Sequence, residues 1–416
     1  MKNLTPVLVT FLISLSWAKI DENRDVQLAK FMKNFRTTFE DSVINLSLPE
    51  DAFLNISAFL SKYGYPFESH PIITEDGFIL EIHRIPSKNN NSSVVLLVPP
   101  LLASSIDYVN QGPNVSLALL LYDQGYDVWI MNPRGTRWSM NHQTLNSSEK
   151  AFWDFSFHEK GIYDVSASID FTLNNTGVAN LTLVGFSEGT SASMALLSTR
   201  PEYNDMVEVV VLLSPIGYMG GVQSPIPLFL VKYMSEIESF MDNLHFYGLP
   251  YIESVSQLLI KICTIDGFDE ICSGVIGLVM GYDPDELDTD FMLVLLSDKP
   301  AGFSMKQLLH YGQEISTASF RQYDYGTSGN KEHYGTSEPP TYDPKKITAQ
   351  VAVYYGKNDY FAAISDVEKL LNQLPTVVDA YLIEYEYFNH LDFVAAKDVK
   401  TMLYDRVLSV IKKYTS

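Results

Sequence analysis

The chain has 416 residues, with 50 Asp or Glu against 29 Lys or Arg and a formal net charge of −21 at pH 7. That balance argues against nucleic acid, whose phosphates are bound through Lys and Arg, and against adsorption to anionic membranes by charge. With 46% hydrophobic residues, the length suits one large α/β domain with an insertion, or two domains.

The first twenty residues, MKNLTPVLVTFLISLSWAKI, combine a lysine, an apolar stretch and small residues at Ser16 and Ala18. They read as a secretory signal peptide, residues 1–18, cleaved after Ala18. No later segment reaches the roughly 18 uninterrupted apolar residues a membrane span requires. The mature chain is therefore expected to be soluble and secreted, with the lysosomal lumen as the alternative. Acceptor sequons at Asn45, Asn55, Asn90, Asn91, Asn114, Asn146, Asn174 and Asn180 fit that compartment. The only two cysteines, Cys263 and Cys272, frame CTIDGFDEIC. In an oxidising compartment they are read as a disulfide, and with no histidine between them they make a poor zinc site.

Strands are predicted at 78–85, 93–98, 127–132, 181–186, 208–214, 350–356 and 380–386, and helical patterns such as SLALLLYDQG, GIYDVSASIDFTLNNTG and DVEKLLNQL separate most of them. This alternation predicts a doubly wound, mostly parallel sheet closed by a last helix over VKTMLYDRVLSVIKKY. The only low-complexity stretch, NNNSS at 89–93, reads as a hairpin turn. The alternation breaks after Ser214. Residues 215–343 hold both cysteines and no clear sheet strand, and read as a helical cap over the carboxyl ends of the strands, where open α/β sheets bind ligands. The core is then 19–214 together with 344–416.

Within LTLVGFSEGT, Gly185, Ser187 and Gly189 have the G-x-S-x-G spacing of a nucleophile held in a strained strand-to-helix turn. Small residues two positions either side keep the neighbouring backbone from clashing. Such a serine needs an acid and a histidine later in the chain. Asp359 follows the strand of VAVYYGKND, and His390 follows LIEYEYFNH. His390 would act as general base toward Ser187, with Asp359 holding the imidazole tautomer. Asp366 reads as a cap of the next helix, and Asp392 is too near His390 to orient it from a separate strand. Arg134 reads as a loop anchor, and His158 as ordering the loop before its helix. No metal constellation and no phosphate loop appears, so neither a metal nor a cofactor is expected.

Several longer stretches carry a resemblance: GYPFESHPIITEDGFILEIHRIP, NPRGTRWSMNH, FWDFSFHEKGIYDVSASIDF, AGFSMKQLLHYGQ, FRQYDYG, YYGKNDYFAAISDVEKLLNQLP and FNHLDF. From about Tyr63 to Phe393 the chain resembles the animal acid lipase family of α/β-hydrolases, which includes gastric and lysosomal acid lipases. The resemblance implies a lidded lipase acting on triacylglycerols or sterol esters at a lipid–water interface, with Ser187, Asp359 and His390 as triad and a disulfide in the cap.

The chain departs from the family near the oxyanion hole. Family members usually have His-Gly where this chain has Pro99 and Pro100, and His and Gln where it has Phe186 and Glu188. The oxyanion donors implied are the backbone N–H groups of Leu101 and Glu188. Proline restricts the loop that aims Leu101. An ionised Glu188 would oppose a developing oxyanion, so its protonation in an acidic lumen, and a narrow acid optimum, are expected. Phe186 is expected beneath the turn. Two functions remain open: a lipid-ester hydrolase, possessing a weakened oxyanion hole, and a catalytically impaired lipase-fold protein that binds or carries an apolar ligand. Acyl transfer to an alcohol would use the same residues.

Overall fold

Eleven strands are present among the described residues of the computed structural model, which describes residues 49–415 except 90, 266 and 267. They are β1 (Glu68–Ile73), β2 (Phe78–Ile85), β3 (Val94–Val98), β4 (Asp127–Ile130), β5 (Asn141–His142), β6 (Leu181–Phe186), β7 (Val207–Leu213), β8 (Gly248–Pro250), β9 (Gly302–Ser304), β10 (Gln350–Tyr355) and β11 (Val377–Leu382). The segment read as a signal peptide and Asn45 lie outside the described residues.

The main sheet has the order β1-β2-β4-β3-β6-β7-β10-β11, with β5 paired to β2. From β4 to β11 every neighbouring pair is parallel. β1, β2 and β4 pair antiparallel. The buried strands β3, β4 and β6 have no exposed residue, as expected of parallel strands covered on both faces. Two apolar clusters form the core, one on each face of the sheet. Leu96, Leu183 and Val210 belong to one, and their neighbours Leu97, Val184 and Val211 to the other, following the two-residue alternation of side chains.

Four details differ from the sequence reading. NNNSS is not a hairpin turn, because β2 pairs with β4 and the chain passes over to β3. The β1 stretch, ESHPII, has only Ile72 buried, so its partly polar edge pattern hid a strand. The last strand begins earlier, at Val377, and ends at Leu382. Between β7 and β10 the chain is mostly helical but includes the short antiparallel pair β8–β9. Arg134 is buried and bonds both Asp76 and Asp164, which fits a loop anchor.

Candidate active site

The turn between β6 and the helix Glu188–Thr199 places Ser187 at φ 52°, ψ −117°, an unfavourable backbone for a residue with a side chain. Its flanking glycines have a steric cause. A Cβ on Gly185 would stand 2.7 Å from the Gly189 carbonyl, and one on Gly189 would stand 2.2 Å from the Val98 carbonyl oxygen. The strand end, the turn and the end of β3 thus touch backbone to backbone. The Ser187 amide donates to the Leu213 carbonyl at 3.0 Å, fixing the turn to the end of β7.

Ser187, Asp359 and His390 come together at the carboxyl edge of the sheet. The His390 Nε2 lies 2.8 Å from Ser187 Oγ. Its Nδ1 lies 2.9 and 3.0 Å from the two Asp359 carboxylate oxygens. Asp359 also accepts from the amides of Phe361 and Ala362, each at 2.9 Å. Burial alone would raise the Asp359 carboxyl, but the His390 imidazole beside it and the hydrogen bonds from His390 and Ser214 outweigh that, so it lies below the usual carboxylate range. Phe361 and Phe186 flank the imidazole, with ring centres 4.8 and 5.4 Å away. Phe186 therefore packs against the histidine rather than simply filling space beneath the turn.

Sequence reasoning missed Ser214. This residue follows β7 in the left-handed region, at φ 49°, and its amide donates to the Tyr354 carbonyl at 2.8 Å. The hydroxyl donates to Asp359 Oδ2 at 2.6 Å and lies 2.9 Å from His390 Nδ1. The available signal was its place as the last residue of a predicted core strand, on the same sheet edge as the nucleophile. Asp366 does not cap its own helix but accepts from the Gly221 amide at 2.7 Å. Asp392 accepts from the Asn389 amide at 2.6 Å and stands apart from the relay.

Leu101 and Glu188 lie on the two segments that meet at Gly189. The Val98 carbonyl, whose oxygen abuts Gly189, also accepts from Tyr108 Oη at 2.8 Å. The left-handed step of the PPLL loop falls on Leu102, at φ 65°, and not on a proline or on Leu101. The Ala301 amide holds the Leu102 carbonyl at 3.0 Å. Lys299 bonds Asp107 at 2.5 Å, and Ser104 bonds Asp298 at 2.5 Å. Residues Asp298, Lys299 and Ala301, between β9 and the preceding helix, thus hold the PPLL loop and the turn that follows it. Glu188 is the first residue of its helix, where backbone N–H groups have no intrahelical acceptor, so its amide is available to a ligand.

The Glu188 side chain points elsewhere than expected. It is buried and accepts from Lys160 Nζ at 2.6 Å and Gln307 Nε2 at 2.7 Å. Both its oxygens are thus engaged by buried groups, the Lys160 side chain and the Gln307 amide.

The insertion also reaches the histidine loop. Cys263 and Cys272 are disulfide-bonded, S–S 2.05 Å, and the helix Asp269–Met280 that carries Cys272 ends where the Met280 carbonyl accepts from the His390 amide at 3.2 Å. Gly281, at φ 115°, then passes so near that a Cβ would stand 2.0 Å from the Asn358 carbonyl oxygen. Among the described sequons, Asn55, Asn91, Asn114, Asn146 and Asn174 are exposed and Asn180 is half-buried; Asn90 lies outside the described residues. Among those residues no group of three or more His, Cys, Asp or Glu is placed to hold a metal, and no helix is long and apolar enough to cross a membrane.

This sheet and elbow define an α/β-hydrolase. The fold-family description "alpha/beta hydrolase fold" matches residues 93–233, and "partial alpha/beta-hydrolase lipase region" matches 56–112. Among solved structures, an alpha/beta hydrolase from Penicillium sp. sh18 aligns at a TM-score of 0.51 and 13% identity, over 84% of this chain and 99% of its own. The relatives are more specific. Lipase 3 of Drosophila melanogaster is 37% identical over 84% of this chain and 91% of its own length. Human gastric triacylglycerol lipase is 33% identical over 86% and 91%, and human lipase member J 34% identical over 86% and 99%. The chain belongs to the animal acid lipase family, and is a lipase of the serine carboxylic-ester hydrolase type.

Proposed function

We propose that this chain hydrolyses triacylglycerols or sterol esters outside the cytosol, in the secreted or lysosomal setting, by covalent catalysis at Ser187. The observation that carries the reading is the unbroken relay from Ser187 Oγ through His390 to Asp359, with contacts of 2.8 and 2.9 Å. In the first step His390 Nε2 takes the hydroxyl proton as Ser187 Oγ attacks the ester carbonyl, and Asp359 stabilises the resulting imidazolium. The oxyanion receives the amides of Leu101 and Glu188. Collapse expels the alcohol, which takes the proton from His390 and leaves an acyl-serine. Water, deprotonated by His390, then attacks the acyl carbon; collapse breaks the acyl–Oγ bond, His390 returns the proton to Ser187 Oγ, and the fatty acid leaves.

The insertion supports a lipid partner. Phe229, Phe240 and Leu278 on its helices are 58%, 55% and 57% exposed, side chains that a lipid surface or acyl chain could cover. The relay gives the hydrolase reading more support than the carrier reading, which has no use for an aligned base. The test is an alkyl fluorophosphonate, which phosphonylates an activated serine with loss of fluoride. Stoichiometric labelling mapped to Ser187, prevented by His390→Ala, is expected; a folded protein left unlabelled would overturn the proposal.

A further inference from the structure

The buried Lys160–Glu188 pair includes the residue next to the nucleophile, whose amide is the proposed oxyanion donor. Lys160 begins a π-helical stretch, Lys160–Val165, a distortion often found at functional sites. That stretch lies tight on the nucleophile helix, since a Cβ on Gly161 would stand 2.4 Å from the Ala192 carbonyl oxygen. The approach brings Lys160 Nζ within 2.6 Å of Glu188 Oε1, both side chains being 2% exposed. Gln307, held by its capping box with Ser304, takes the second carboxylate oxygen at 2.7 Å. Both oxygens are therefore directed away from the site by two separate elements.

We infer that Lys160 is a positioning residue for the esterase reaction: its ammonium cancels the Glu188 carboxylate, so that the Glu188 amide can stabilise the oxyanion without an opposing charge. The inference rests on the hydrolase reading. A buried anion left without its cation acts over a short distance in a medium that screens it poorly.

The other ionisable groups on the elements around the pair are paired elsewhere, shifted by burial or exposed. On the Lys160 side, Glu159 pairs with Lys306 at 3.4 Å, Asp164 pairs with Arg134 at 2.7 Å, and His158 Nδ1 lies 2.8 Å from Tyr342 Oη. On the helix of Gln307, burial holds His310 down at about 3 and pushes Glu314 and Tyr311 up. Arg200 pairs with Glu202 at the opposite end of the nucleophile helix, and Asp205, Lys345 and Lys346 are exposed. Ser187 and His390 complete the set on the site side.

The experiment compares wild type, Lys160→Met, Lys160→Arg, Ser187→Ala and the double variant Lys160→Met/Glu188→Gln on a soluble short-chain ester from pH 5 to 8. Lys160→Met is expected to lose about 100-fold in kcat at pH 7.5, a loss of the size of one oxyanion donor, with KM within about threefold. Its activity relative to wild type should recover at least about tenfold by pH 5, because an unpaired buried carboxylate takes up a proton. Lys160→Arg and the double variant should each regain most of the rate. A Lys160→Met deficit that stays constant with pH, or a folded double variant no better than the single, would overturn the inference. If Lys160→Met does not fold, the double variant decides: turnover within about tenfold of wild type supports charge cancellation, and a loss as large as one donor's overturns it. A wild type no more active than Ser187→Ala removes the hydrolase reading and this inference together, whereas an active wild type with a pH-independent deficit removes only the role of Lys160.

Discussion

Ser214 and Asp359 share a 2.6 Å hydrogen bond across the ends of two neighbouring strands, β7 and β10. With the Nδ1 of His390 2.9 Å from the same hydroxyl, Ser214 supports both the acid and the base without touching the nucleophile. Asp359 accepts from four groups, so its carboxylate has little freedom to rotate away from the imidazole. The left-handed backbone at Ser214 is the conformational cost of aiming its hydroxyl there.

Ser214→Ala should therefore impair the relay without removing any member of it. We expect kcat to fall about tenfold with KM unchanged, the mark of an interaction stronger in the transition state than in the ground state. A fall in KM-dependent binding with kcat intact would argue that Ser214 faces the substrate instead. Steady-state kinetics on one soluble ester suffices.

Gly189→Ala tests the backbone junction beneath the oxyanion loop. The new methyl carbon would meet the Val98 carbonyl oxygen at 2.2 Å, so the nucleophile helix and the PPLL loop must part. The expected loss is on the order of 100-fold or more in kcat, accompanied by a lower melting temperature. A variant that keeps both would show that the two segments need not touch.

Asp392 predicts a pH dependence of stability. Burial, reinforced by nearby Asp283 and opposed by the Asn389 amide, pushes its carboxyl up to about 9. The folded state therefore holds a proton that the unfolded chain releases near the ordinary Asp value of about 4. Stability from this group is fully present below pH 4 and declines as the pH rises toward 9. Asp392→Asn keeps the shape and the acceptor for Asn389 but has no proton to lose. It should be more stable than wild type by roughly 2–4 kcal/mol at pH 7, with the difference vanishing near pH 4. Urea unfolding at pH 4 and pH 7.5 measures this directly; a difference independent of pH would contradict it.

The sheet and the relay were legible because they rest on local signals. Apolar runs such as LTLVGF and VAVYY mark strands buried on both faces, and Ser187 and Asp359 each follow such a run closely, whereas His390 lies on the loop after the last strand, β11, which has no buried residue. The edge strand β1 was hidden because ESHPII has only one buried residue. The short pair β8–β9 was hidden because GLP and GFS carry no alternation to read. Longer-range relationships were beyond reach for a different reason. Glu188 next to a nucleophile looks like an unfavourable charge until the fold brings Lys160 beside it, 28 residues away in sequence. Ser214 looked like the end of a strand until β10 delivered Asp359 to it. The proline loop raised the aim of Leu101 as a question, and the fold puts that loop's left-handed step on Leu102, whose carbonyl accepts from the distant Ala301 amide.

The most direct measurement is fatty acid release from emulsified triacylglycerol and from short-chain esters between pH 4 and 8, by full-length protein from a secreting host beside Ser187→Ala. The account predicts turnover by the wild type on both substrates, extending past neutral pH because Lys160 already balances Glu188, and loss of that turnover in the variant. Equal inactivity of two folded, secreted proteins would contradict it.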